Sequence, residues 1–343
     1  MTIDTLCMSS GGIQGLSFIA SLQYLINNNY INLSKINTFV GTSMGALICF
    51  LLIIGYTPDE LINFLSTYDF TKLELAADLF LLEEKFGLDN GDAIIKLLTT
   101  LCDRKLICTE ITFNELFILT KKKFILNATN FTKGTEAIFS YETTPNLSVI
   151  TAIRMTTCVP FIYTPVLYEN EYYLDGALIN NILLSHCNAD TTLALKFSVE
   201  KNNELNSIYD LITGCLIIMA TNNYDETKYN ILNIITTDTT TRLTTCITKE
   251  YIFNLFIIGI EKAQQFYITK LKEQIANIKN NIKNNDNKLI DNKLIENKLI
   301  KNNIIDDNNN DNKLIDNNNN IKDKINKINK TKYNIINNFI YSK

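Results

Sequence analysis

The chain has 343 residues, 46% hydrophobic and 20% charged, a globular balance that excludes a wholly disordered or fibrous protein and leaves room for one large domain or two modest ones. With 32 basic against 36 acidic residues the formal charge is −4, which argues against a dedicated nucleic-acid binder. It leaves lipid contact open, because a local patch or an apolar rim suffices. The first basic residue is Lys35, so no secretory signal is expected at the start. The apolar runs Ala46–Gly55, Leu211–Ala220 and Ile252–Ile260 are about ten residues each, short of the ~20 that cross a bilayer. No transmembrane segment is expected, and the reading is of an intracellular, cytoplasmic protein that meets membranes only peripherally. Eight cysteines without a C-x-x-C pair, and a single histidine, His186, point to scattered reduced thiols rather than disulfides or zinc. No metal and no cofactor are assigned.

In chain order, Thr5–Met8 reads as a first strand and Gln14–Ile26 as a helix. Thr38–Val40 is the second strand, followed by helices at Met44–Ile54 and Pro58–Thr67. The latter has Thr57 as N-cap, Pro58 at the first helical position and Glu60 closing a capping box. Helices follow at Ala93–Cys102 and at Phe113–Thr120, where Thr112 and Glu115 repeat the box. Lys123–Ala128 and Ala137–Ser140 are strands, Val149–Thr157 a helix, Thr192–Val199 a strand, and Ile208–Ala220 and Glu250–Lys279 the closing helices. Strands alternating with helices predict an α/β domain with a mostly parallel central sheet over residues 1–279. Beyond it, residues 280–343 are dominated by Asn, Lys and Ile. The pentapeptide Asp-Asn-Lys-Leu-Ile stands at 286–290, 291–295 and 311–315, with a Glu-Asn-Lys-Leu-Ile copy at 296–300. A period of five matches neither helix nor strand, so this stretch is expected to be a disordered low-complexity tail.

Chemistry concentrates in three places. Gly41-Thr42-Ser43-Met44-Gly45 lies between a strand and an apolar helix, where a tight turn holds a serine proud of the sheet and the helix aims its N–H groups at a reacting carbonyl. Ser9-Ser10-Gly11-Gly12-Ile13-Gln14-Gly15 opens the first helix, and adjacent glycines let backbone N–H groups converge on an anion. The third piece is Tyr172-Tyr173-Leu174-Asp175-Gly176-Ala177. A serine needs a base. The order Ser43, Asp175, His186 is that of an α/β-hydrolase triad, but only one strand precedes the elbow strand here, and a lone histidine at a helix end is more often a cap.

Taken in order, Gly-Gly-x-x-Gly, Gly-x-Ser-x-Gly and Asp-Gly-Ala resemble the patatin-like phospholipase family. The stretches Phe124–Asn130 with Thr132-Lys133-Gly134, and Ala152–Met155 through Pro160, Phe161 and Pro165, are similar to segments of that family; the similarity covers about residues 3–200. The resemblance implies a three-layer α/β domain that hydrolyses lipid acyl esters, with Ser43 as nucleophile and Asp175 as its base in a dyad without histidine. It implies an oxyanion hole from the N–H groups of Gly11, Gly12 and Met44, with Gly15, Gly41, Gly45, Gly176 and Ala177 as motif positions. The implied partner is a phospholipid or other lipid ester at a membrane or micelle surface. Ser9, Ser10 and Gln14 depart from the family's usual Asp-Gly and basic residue, and Ala177 replaces its more usual second Gly. The departures leave an idle lipid- or partner-binding module as an alternative, beside a Ser–His–Asp esterase using His186 and an acyltransferase sharing the dyad. Phe161, Ile162 and Tyr163 are candidates for an acyl pocket or for the core, and Arg154 for a phosphate contact or a helix-surface charge.

Overall fold

The computed structural model describes residues 2–73, 77–199, 226–236 and 247–284. Contacts divide the chain into units Met1–Lys262 and Ala263–Lys343; the sheet and the candidate site lie in the first. Its elements begin with β1 (Thr5–Met8), α1 (Ser17–Asn27), β2 (Thr38–Gly41), α2 (Met44–Ile53), α3 (Pro58–Thr67), α4 (Leu79–Lys85), β3 (Gly87–Asp89) and α5 (Asp92–Arg104). There follow α6 (Phe113–Thr120), β4 (Lys123–Asn130), β5 (Thr135–Phe139), α7 (Val149–Thr156), β6 (Phe161–Tyr163), β7 (Val166–Tyr168), β8 (Glu171–Leu174), β9 (Thr192–Val199) and β10 (Asn230–Thr236). A last helix, α8, runs from Lys249 to Asn284, five residues past the expected end at Lys279. The expected helix Ile208–Ala220 and the repeats from residue 286 lie outside the described residues.

The main sheet is ordered β10-β9-β1-β2-β4-β8-β7, with β5 also paired to β4. Every pair from β10 to β4 is parallel, whereas β5, β7 and β8 join antiparallel. Ladder partners Cys7, Val40, Ile125 and Ala194 form one row on one face, covered by Ile182, Leu183 and Leu184. On the other face Phe124 stacks on Phe50 of α2 and tilts against Phe113 of α6. All of β1, and β4 after its first residue, are therefore buried on both sides; this is the three-layer arrangement of a parallel α/β domain. β1→β2 steps to one side of β1 and β9→β10 to the other, so the order reverses beside β1. Crevices outside strand carboxyl ends at such a switch point are where open α/β sheets bind ligands.

Both expected capping boxes form, Thr57 with Glu60 and Thr112 with Glu115. The first helix starts one turn differently, as a 3-10 turn over Gly12–Leu16 before α1. The first turns of α8 close on α1. A Cβ on Gly259 would lie 2.2 Å from the Ser17 carbonyl oxygen, and Ser21 Oγ donates to Gly259 O at 2.8 Å. β3, β6, β7 and β8 were not expected from the sequence: three or four residues carry too short a period-two pattern to read.

Candidate active site

The elbow forms because β2 and α2 meet where no side chain fits. A Cβ on Gly41 would lie 2.5 Å from the Ala46 nitrogen, and one on Gly45 2.4 Å from the Met8 carbonyl oxygen. Between them Ser43 takes φ 52° and ψ −123°, a strained backbone for a residue with a Cβ, costing on the order of 1–3 kcal/mol. Three hydrogen bonds hold it there. The Thr42 N–H donates to Met8 O at 3.1 Å, the Thr42 hydroxyl to Asn127 Oδ1 at 2.9 Å, and the Ser43 N–H to Thr156 Oγ1 at 2.9 Å.

Asp175 arrives from β8, whose Leu174 pairs with Thr129 of β4. Its N–H donates to Cys158 O at 2.7 Å, and its carbonyl accepts from the Thr129 hydroxyl at 2.8 Å. With the backbone pinned at both ends, the carboxylate has one orientation. Oδ1 accepts from the Ala177 N–H and Oδ2 from the Ser43 hydroxyl, each at 2.8 Å. Both side chains are buried. Burial pushes the Asp175 carboxyl up to about 7, opposed by the Ala177 N–H and the Ser43 hydroxyl, which favour the anion. A carboxylate that titrates near neutrality is matched to proton abstraction there. The Ala177 contact is through its backbone, so the Ala-for-Gly departure leaves it intact.

The glycine loop sits beside the elbow. A Cβ on Gly15 would come within 2.7 Å of Met44 Cγ, and Gly12 takes φ 50° on the exposed rim. Gly11, Gly12 and Met44 stand at helix starts, where the leading N–H groups have no carbonyl inside their own helix. Ser43's own N–H is committed to Thr156. The departures at Ser9 and Ser10 tie the loop down: Ser9 Oγ accepts from the Phe197 N–H at 2.8 Å, the Ser10 N–H donates to Asn181 O at 3.1 Å, and Ser10 Oγ bonds Asn181 Oδ1. Gln14 is buried.

Sequence reasoning did not single out Asn127 as a site residue. Its Oδ1 takes the Thr42 hydroxyl, and its Nδ2 donates to Glu136 Oε1 at 3.0 Å, Asn180 O at 3.1 Å and Gly176 O at 3.2 Å. Gly176 is required for that fit, since a Cβ there would lie 2.4 Å from Asn127 Oδ1. One side chain thus joins the elbow, β4 and the loop after Asp175. Thr129 and Thr156 are the other two unforeseen holders. The available sign was a buried strand, Phe124–Asn130, interrupted by polar residues at alternate positions 127 and 129.

Other candidates are placed elsewhere. His186 is exposed on the 3-10 turn Leu184–His186, and both oxygens of Asp175 are engaged by Ser43 and Ala177, so a triad through His186 is not assembled. Arg154 is buried, not on a helix surface. Its Nε and Nη2 donate to Asn90 O at 3.2 and 2.9 Å, Nη2 also to Thr164 O at 3.1 Å, and it lies over the Tyr163 ring. Ile162 is in the core and Tyr163 half-buried, but Phe161 points into solvent, so the three do not line one pocket. Among the described residues no group of His, Cys, Asp and Glu could hold a metal ion, and no single helix is long and apolar enough to cross a membrane. Cys7, Cys49, Cys102 and Cys158 are buried free thiols and Cys108 is exposed; Cys215 and Cys246 lie outside the described residues.

Comparison with known proteins places the chain independently of this geometry. The family model described as patatin-like phospholipase matches residues 6–187. The chain belongs to the patatin-like phospholipase family. A probable lipid hydrolase of invertebrate iridescent virus 6 is 32% identical over 264 residues, 76% of this chain and 87% of that protein. An uncharacterized protein of Acanthamoeba polyphaga mimivirus is 29% identical over 235 residues, 65% of this chain and 77% of that one. The crystal structure of VipD from Legionella pneumophila aligns at 15% identity with a TM-score of 0.49, over 78% of this chain and 67% of VipD. The family model and the 32% identical relative carry the assignment: the fold expected from the motifs is that of this family, and the class is that of a lipid hydrolase.

Proposed function

We propose that residues 1–279 form a phospholipase A-type enzyme that cleaves fatty-acyl esters through a Ser43–Asp175 dyad, working from the cytoplasm at a membrane or micelle surface. Asp175 Oδ2 takes the Ser43 hydroxyl proton as Oγ attacks the ester carbonyl carbon. The N–H groups of Gly11, Gly12 and Met44 receive the oxyanion, and each donor of this kind is worth roughly 2.7–4 kcal/mol in other serine hydrolases. Collapse expels the alkoxide of the lysolipid, which takes the proton from Asp175, leaving an acyl-serine. Water then attacks the acyl carbonyl with Asp175 again as base, and the fatty acid leaves as Ser43 regains its proton.

The observation that carries this reading is the 2.8 Å bond from Ser43 Oγ to Asp175 Oδ2. The alternative of an idle module rests on the departures in the glycine loop at Ser9, Ser10 and Gln14; against it stand the bonds by which Ser9 and Ser10 tie that loop down. Buried free thiols at Cys7, Cys49, Cys102 and Cys158 favour a reducing, intracellular setting. The test pairs a fluorophosphonate probe with phosphatidylcholine hydrolysis. Wild type labels and hydrolyses, Ser43→Ala does neither, Asp175→Asn loses turnover, and His186→Ala retains most of it. Wild-type-like turnover in Asp175→Asn, or collapse in His186→Ala, overturns the dyad.

A further inference from the structure

The segment that leaves the site ends in an apolar rim that the chemistry does not use. Thr156 accepts the Ser43 N–H and Cys158 accepts the Asp175 N–H. Phe161 follows three residues later, within about 11 Å of Cys158 even if the chain is fully extended. Phe161 is 58% exposed. Its ladder partner is Gly87 of β3, preceded by Phe86, 61% exposed, so the two phenylalanines flank adjacent strands about 4.8 Å apart. Phe86 takes its left-handed backbone (φ 64°) as the C-cap of α4, whereas Phe161, at φ 67° in β6, is a bulky outlier of the kind that concentrates at ligand-contacting sites.

The helix leading into β3 has the same character. α4 begins Leu79-Phe80-Leu81-Leu82, and none of its residues is buried; Leu79 and Phe80 are 75% and 81% exposed. Asp78 caps it and ties it to β3, its carboxylate accepting from the Phe80 N–H at 2.8 Å and its N–H donating to Leu88 O at 2.9 Å. Leu79, Phe80, Phe86 and Phe161 thus belong to one small lobe, α4–β3–β6, at the edge of the site. Its charge narrows the partner. Between residues 77 and 92 the exposed charges are Asp78, Glu83, Glu84 and Asp92 against Lys85 alone, Asp89 being buried. An acidic rim around an apolar tip is repelled by an anionic bilayer and suits a zwitterionic one, into which aromatic and leucine side chains insert at headgroup depth.

We infer that the lobe carrying Leu79, Phe80, Phe86 and Phe161 is a docking tip that inserts into zwitterionic phospholipid surfaces and sets the site against them. This deepens the proposed hydrolase reading and rests on it for the role of docking, though the docking itself does not require turnover. The chain has no tryptophan, so Phe80→Trp, Phe86→Trp and Phe161→Trp each report a single position. Leu119→Trp, at the exposed end of α6 beside the start of β4, reports the opposite end of the sheet. Binding is read in full-length protein carrying Ser43→Ala, so vesicles stay intact and failure to hydrolyse cannot be mistaken for failure to dock. With phosphatidylcholine vesicles, emission at 80, 86 and 161 should shift to the blue and be quenched by brominated phosphatidylcholine, while emission at 119 stays put. Joint Phe80→Ser and Phe86→Ser should lower partitioning about tenfold or more, with thermal midpoint and far-UV dichroism unchanged. Added salt should not weaken binding, and phosphatidylserine-rich vesicles should bind no better. Equal quenching at all four positions, none at any, or preference for anionic vesicles that salt abolishes overturns the inference. So does a blue shift without vesicles that tracks protein concentration, which would give the tip to a second copy of the chain.

Discussion

Two regions meet at residues 156–161 and are built on opposite rules. At the strand ends, polar atoms are buried and each is answered: Thr42, Ser43, Asn127, Thr129, Thr156 and Asp175 form one hydrogen-bonded set. In the α4–β3–β6 lobe, apolar side chains stand in water without partners. The first region fixes a geometry, because an unmet buried polar group costs more than a satisfied one contributes. The second has given up packing energy that burial of such side chains normally supplies. A protein that only needed to fold would have no reason to combine them, whereas chemistry on a water-insoluble substrate needs a rigid centre and a greasy edge within one short segment.

The sharpest contrast is in rate. Asp175→Asn keeps the shape of the buried set but removes the base, and loss of the general base in another serine hydrolase, there a histidine, costs about 2 × 10⁶-fold in kcat. A fall of that order is expected here on a soluble ester and on vesicles alike. Changes in the lobe should instead act on vesicle binding. A lobe variant that lost turnover on a soluble monomeric ester as completely as Asp175→Asn would dissolve the distinction.

Stability separates the regions next. Asn127→Ala takes the 2.9 Å acceptor from the Thr42 hydroxyl, which keeps a 3.4 Å contact to Asn180 O, and one donor each from the carbonyls of Gly176 and Asn180; it should destabilise by about 1–3 kcal/mol. Phe80→Ser, far out in solvent, should stay within about 0.5 kcal/mol. Urea denaturation of the two variants decides it; a mild Asn127→Ala would mean that water replaces the side chain and that the set is looser than its distances suggest.

What could be read from the residues divides along the same line. Gly41, Ser43, Gly45, Asp175 and Gly176 were legible because the chemistry restricts residue type at fixed spacing, β4 and β9 because eight-residue parallel strands read as apolar runs, and four-residue β1 and β2 because each leads straight into a glycine motif. Asn127 and Thr156 were not. Their partners are 85 and 113 residues away along the chain, and nothing local distinguishes a buried asparagine that links three elements from one that faces solvent. The lobe was missed for a related reason: neither α4 nor β3 was expected, and Phe161 reads as pocket lining or core until tertiary structure leaves it outside. Arg154 erred the other way, since its carbonyl acceptors on Asn90 and Thr164 are invisible to a helix-surface argument.

The titration of Asp175 gives the next test of the buried region. A base with a value of about 7 must be ionised to act, so kcat/KM on a soluble ester should fall about tenfold per pH unit below that value. Above it the rate should level off. The limb should persist in His186→Ala, which excludes the one imidazole as its source. A limb near pH 4 would mean that water reaches the carboxylate and that the site is wetter than its burial implies.

The same carboxyl should also make the folded state weaker as the solution turns alkaline. In the unfolded chain Asp175 releases its proton near the ordinary value of 3.8, in the folded one near 7. Below the lower value both states hold the proton and this group adds no pH dependence. Between the two only the unfolded state has ionised, so stability falls as pH rises, and above about 7 the whole penalty is in place. That penalty is at most about 4 kcal/mol by the equivalence of pH and free energy, less whatever relaxation allows. Asp175→Asn removes the ionisation but keeps an acceptor for the Ala177 N–H and a donor toward Ser43 Oγ. It should therefore melt higher than wild type at pH 8, with the gap closing by pH 4. An equal gap at both values would assign the stabilisation to packing or hydrogen bonding, and a variant less stable at pH 8 would mean that the charged carboxylate is held favourably after all, against the burial that sets its titration.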